Sequence, residues 1–208
     1  MSEKVKYRDK PAIWRAADDF RDSAELRGHH IPPIDVIYIA EVILKLDIIP
    51  IENLFADQKI DAALLPDLSG FYTDEDAYMA WERGSPWIER RLRFSFAHEL
   101  GHFVLHREEI AANEFRSVQE FKQWATAPSN YTNAEIQANE FAGRFLVPRE
   151  LLVREYDQQT SQLGNAEPHW REIEGMREFI AKKIAPRFGV NHQVIATRFD
   201  HEDIWPAE

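Results

Sequence analysis

The chain has 208 residues, 44% hydrophobic and 29% charged, a balance ordinary for one globular core. Its formal charge of −11 argues against a broad phosphate-binding face, so no direct contact with nucleic acid is expected. With no cysteine, neither disulfides nor thiolate metal ligands are available. The first residues lack the apolar run of a signal peptide, and no apolar stretch nears the roughly 20 residues that span a bilayer, so a cytoplasmic protein with no membrane partner is expected.

In chain order, Pro11 at a favourable first-turn position and Gly28 beyond the end predict a charged helix over 11–27. Asp35 is placed to cap a second helix running to Leu46. Short β-rich runs follow at Ile48–Ile51, Ile60–Leu65 and Leu68–Tyr72, and Ala77–Trp81 is expected to join them as a fourth strand. An apolar helix is predicted over 91–106, a polar connector with a short helix around Phe115–Trp124, and another long helix from Asn133 to Val147, ended by Pro148. Helical stretches at Glu150–Tyr156 and Trp170–Ile184 and a short element at Asn191–Arg198 complete the chain. This pattern predicts an α+β single domain with helices around a small three- or four-stranded sheet. Its expected parts are an N-terminal extension (1–30), the main domain (31–200) and a tail (201–208).

The chemistry concentrates in His98-Glu99-Leu100-Gly101-His102. Two histidines four residues apart lie about 40° apart around a helix, so both imidazoles reach one ion. Glu99 projects about 100° from His98, off the ligand pair yet within reach of a water at the metal, whose proton it could accept. The helix is apolar almost all round and should be buried, where two histidines and a glutamate need partners that a metal would supply.

A catalytic zinc takes three protein ligands and keeps one position open. The 133–147 helix offers Glu135 and Glu140. At about 100° per residue, Glu135 falls in the arc of Ala138, Phe141, Ala142, Phe145 and Leu146. Glu140 falls opposite, beside Arg144, where an exposed ion pair one turn apart is expected. Glu135 is therefore the expected third ligand and Glu140 a solvent residue. Asn139 could hold the outer nitrogen of a ligand histidine or simply pack between helices. His106 lies about 12 Å along the axis from His98, too far to share an ion on a straight helix. His29, His30, His169, His192 and His201 read as exposed, with His169 and His201 weak candidates for a transition-state donor.

The run from Arg93 to His106, RFSFAHELGHFVLH, resembles the core motif of the ImmA/IrrE metallopeptidases. Glu135-Ile136-Gln137-Ala138-Asn139-Glu140-Phe141-Ala142, followed by Phe145-Leu146-Val147-Pro148, is similar to their second block. Weaker similarities at Pro33–Val36, Ser69–Tyr72 and Phe188–Asn191 extend the likeness over about residues 30–200. The resemblance implies a zincin-like fold, zinc at His98, His102 and Glu135, and Glu99 as the catalytic base; by ligand type, Mn²⁺ or Co²⁺ could substitute in the same site. It also implies a helix-turn-helix repressor as the protein substrate, in a mobile-element or stress-response system. Two other readings stand beside it: a metal-containing module that sequesters a transcription factor without cleavage, and a toxin–antitoxin partner.

Overall fold

The computed structural model describes residues 5–205 except 113–116, 118, 121–122, 124–130, 162 and 164–168; much of the Phe115–Trp124 expectation lies outside the described residues. Helix α1 (Lys10–Arg21) begins where the Asp9 carboxylate accepts from Ala12 N at 2.9 Å, with Pro11 in the first turn. It stops short of residue 27, and a 3₁₀ turn at Ala24–Leu26 follows. Asp35 caps as expected, accepting from Tyr38 N at 3.0 Å. The helix it starts is short: α2 (Val36–Tyr38) passes into a π turn at Ile39–Ile43. The chain then turns at Lys45, where φ is 57°.

The sheet has three strands, β1 (Asp47–Ile51), β2 (Ala62–Leu64) and β3 (Gly70–Asp74), in the order β1-β3-β2. Strand β1 runs parallel to the central β3, pairing Ile49 with Tyr72, and β2 runs antiparallel to it, pairing Ala63 with Tyr72. A short helix, α3 (Leu54–Gln58), links β1 to β2. The fourth expected strand is instead helix α4 (Glu75–Glu82). Asp74 accepts from Ala77 N at 2.9 Å, and Glu75 and Asp76 sit in the first turn, where acidic groups favour the positive end of a helix. Those cap signals outweigh the strand preference of Tyr78 and Trp81.

The long helix α5 (Pro86–Leu105) carries the histidines and is followed by the short α6 (Arg107–Ala111). It packs against α7 (Tyr131–Leu146) so closely that a Cβ on Gly101 would come within 3.0 Å of Ala138 Cα and O. Helices α8 (Arg149–Thr160), α9 (Met176–Phe188) and α10 (His192–His201) complete the fold, and Trp205 stacks on Phe199 beyond them. Phe71, Phe96, Phe141 and Phe145 are fully buried, so the core spans sheet, α5 and α7. This is an α+β single-domain fold, mostly helical around a small open sheet. Among the described residues no helix is long and apolar enough to cross a membrane.

Candidate metal centre

The close contact of α5 with α7 brings His98, His102 and Glu135 together. Nε2 of His98 lies 3.1 Å from Nε2 of His102, and the two are 3.2 and 3.4 Å from the Glu135 carboxylate oxygens. Metal–ligand bonds of about 2.0–2.1 Å around a tetrahedral ion separate the ligand atoms by roughly 3.3 Å, so the spacing fits a zinc-sized ion. The protonation pattern fits as well. Asn139 Oδ1 lies 2.9 Å from His98 Nδ1 and can only accept, so that nitrogen carries the proton and Nε2 presents a lone pair to the cluster. Glu135 Oε1 is buried without a hydrogen-bond partner. Converging lone pairs and a carboxylate repel one another unless a cation sits among them.

The electrostatics agree. Burial holds the His102 imidazole below its usual range, against the opposing pull of Glu135. Burial raises the Glu135 carboxyl, but the close approach of His102 and His98 outweighs it and keeps the group ionised well below the usual carboxylate range. Two neutral imidazoles and one carboxylate make a donor set of charge −1 suited to a divalent ion.

Glu99 is 2% exposed, and its Oε2 accepts from Leu64 N at 2.7 Å. Helix α5 thus docks on strand β2, at the edge of the sheet, through the residue that follows the first histidine. The peptide N–H of Leu64 anchors one carboxylate oxygen, a contact no side-chain pattern announces.

Glu140 is not a solvent residue. It is 6% exposed, and its Oε1 accepts from Trp14 Nε1 and Arg198 Nη1, each at 2.5 Å, while His201 Nδ1 lies 2.7 Å from Oε2. The expected pair with Arg144 is not made: Arg144 binds Asp18 at 2.6 Å and Glu202 at 2.8 Å. Helices α1 and α10 cover this face of α7, so both charges are buried and find partners on the covering elements. His201 is accordingly half-buried, not exposed, and His169 pairs with Glu172 at 3.0 Å. His30 and His192 are also half-buried.

His106 and Gln137 received no role from the sequence. His106 Nδ1 lies 3.0 Å from His102 Nδ1, and its Nε2 lies 3.3 Å from Gln137 Oε1. Burial, with His102 and Arg8 nearby, lowers the His106 imidazole to about 2. The signal was present: His106 follows His102 by one helical turn on the same face, the spacing of a neighbour rather than of a third ligand. Beside the cluster a cavity of about 320 Å³ opens between α5, α7 and α10, lined by Asn139 together with Phe94, Gly143, Val194 and Thr197.

A family model described as the IrrE N-terminal-like domain, Peptidase_M78, matches residues 89–200, slightly more than half of the chain. His98, Glu99, His102 and Glu135 all fall inside the matched span. No curated protein matches the sequence.

Proposed function

The chain belongs to the IrrE N-terminal-like family of peptidases, and on that premise we propose that it is a zinc-dependent endopeptidase, with the zinc held by His98, His102 and Glu135 and with Glu99 as general base. The observation that carries this reading is the convergence of His98, His102 and Glu135 at tetrahedral spacing, with the buried Glu99 next in sequence. A bound zinc would supply Lewis acidity, lowering the pKa of water towards about 7 and polarising a carbonyl. Glu99 would take the proton from the attacking water and pass it to the leaving amine. The Leu64 N–H holds one Glu99 oxygen in place, so the carboxylate is oriented before a substrate arrives. The cavity beside Asn139 gives room for a substrate side chain.

The substrate we infer is a helix-turn-helix repressor, met in the cytoplasm. Motif likeness to the ImmA/IrrE metallopeptidases supports it, and so does a chain of charge −11, whose acidic surface complements the basic DNA-binding face of such a repressor. Incubating the zinc-loaded protein with a repressor encoded beside it, and following intact mass, tests the reading. One cleavage product pair should appear, more slowly as salt rises, and Glu99→Gln should cut roughly 10²–10⁴-fold more slowly with the metal retained. Full biological effect from Glu99→Gln would instead favour a sequestering module or toxin–antitoxin partner. Equally fast digestion of unfolded casein would refute the narrow substrate.

A further inference from the structure

His106 is fully buried and touches a proposed ligand, yet it lies on the side of His102 away from the cluster. Beyond it the contacts continue to the N-terminal segment, outside the span shared with the family. Gln137 Nε2 donates to the Lys6 carbonyl at 3.0 Å, and Arg8 Nη1 lies 3.4 Å from Gln137 Oε1. The segment itself is pinned: Val5 is buried with its carbonyl accepting from Asn133 Nδ2 at 3.3 Å, and the buried Glu109 accepts from Lys6 N at 3.4 Å and from Arg8 Nη2 at 3.3 Å.

The protons along this path are determined from its far end. A carbonyl oxygen only accepts, so the amide nitrogen of Gln137 faces Lys6 and its oxygen faces inward. Arg8 only donates, and it independently demands the same orientation. Gln137 Oε1 therefore accepts from His106 Nε2–H. With its one ring hydrogen directed at Gln137 from Nε2, the His106 imidazole turns a bare Nδ1 toward His102. His102 Nδ1 must then carry the hydrogen between the two rings. His102 Nε2 is left with a lone pair directed at His98 Nε2 and Glu135.

We propose that Lys6, Arg8, Gln137 and His106 act as a positioning relay that holds His102 in its Nδ1-protonated form and aims its Nε2 at the metal. The N-terminal segment is then a working part of the site, and His106 is a positioning residue, not a ligand. The proposal rests on the metal reading of His98, His102 and Glu135. Metal-bound histidine generally depends on such an outer partner, whose loss costs roughly 10–100-fold in affinity.

Long-range ¹H–¹⁵N spectra of the wild-type protein report the tautomers directly. They should show His102 protonated on Nδ1 and His106 on Nε2, and the reverse assignment would overturn the relay whatever any variant does. Zinc affinity, measured by competition with a chelating dye, should fall roughly 10–100-fold in His106→Phe, which keeps an aromatic ring but accepts nothing. His106→Asn, whose side-chain oxygen can still accept from His102, should recover most of that loss. Gln137→Leu should fall between them and serves where His106→Phe does not fold. Unchanged zinc affinity in folded His106→Phe and Gln137→Leu would overturn the relay alone. Failure of the wild type to bind zinc would remove the metal reading of the site and the relay with it.

Discussion

Helix α7 carries two glutamates five residues apart, Glu140 buried and Glu135 half-buried, and their surroundings are opposite in kind. Glu140 meets a guanidinium, an indole N–H and an imidazole, and Arg198 in turn shares Glu202 with Arg144, which binds Asp18. Every charge there has a counter-charge supplied by the protein. Glu135 meets two imidazoles, one with a bare nitrogen fixed by Asn139, and an oxygen that finds no hydrogen at all. A buried carboxylate compensated by arginine ties helices together; a carboxylate facing bare imidazole nitrogens is suited to hold a cation. The charge of the neighbours separates the two roles.

The two glutamates should differ most in their effect on metal affinity. Glu135→Ala should lose zinc by more than the roughly 10–100-fold that an outer partner is worth, with little change in fold. Glu140→Ala should keep zinc but cost about 3–5 kcal/mol of stability, because Arg198 is left buried without that partner. Parallel zinc titrations and denaturant unfolding of the two variants check both halves. Zinc loss in Glu140→Ala with retention in Glu135→Ala would reverse the assignment.

Smaller effects should follow at the two glycines that back these regions. A Cβ at position 101 meets the Ala138 backbone at 3.0 Å and Phe141 Cβ at 3.3 Å, so Gly101→Ala should cost about 1–3 kcal/mol and weaken zinc binding by prising α5 from α7. At Gly143 the nearest atom is Arg198 Cδ at 3.2 Å, part of a flexible side chain. Helix propensity favours alanine there, and the net change in Gly143→Ala should stay below about 1 kcal/mol. Thermal unfolding and zinc competition on both variants distinguish the rigid neighbour from the yielding one.

The smallest effect concerns acid. Burial raises the Glu140 carboxyl, but Arg198, Trp14 and His201 outweigh it and leave it below its ordinary 4.5. The unfolded chain takes up that proton first, so the stabilisation is complete above the ordinary value and is lost as pH falls through the depressed one. Unfolding free energy measured from pH 6 downward should therefore fall less steeply in Glu140→Gln than in the wild type. Identical slopes would show that Glu140 does not contribute this linkage.

The legibility of these regions differs for a physical reason. Asp9 and Asp35 cap helices through side chains that reach a backbone N–H three residues on, an interaction contained within one local window. The same holds for Asp74, whose carboxylate accepts from Ala77 N and starts α4 where residue types alone suggest a strand at Ala77–Trp81. The spacing of His98 and His102 is likewise local, set by helical periodicity, and the helix wheel set Glu135 apart from Glu140 without any structure. The wheel erred on what covers the other face. Glu140 and Arg144 look like an exposed pair until α1 and α10 are laid over them.

Signals that lie within a few turns of chain were enough for the capped helices, the β-rich runs, the two-histidine pattern and the inward direction of Glu135. Tertiary structure alone decided the contacts made across more than a hundred positions or through the backbone: Lys6 and Arg8 on Gln137, Trp14 on Glu140, the Leu64 N–H on Glu99. Residue type encodes side-chain reach and periodicity encodes direction, but every residue except proline carries the same peptide N–H and every one the same carbonyl, so which of them meets a distant side chain is written only in the packing.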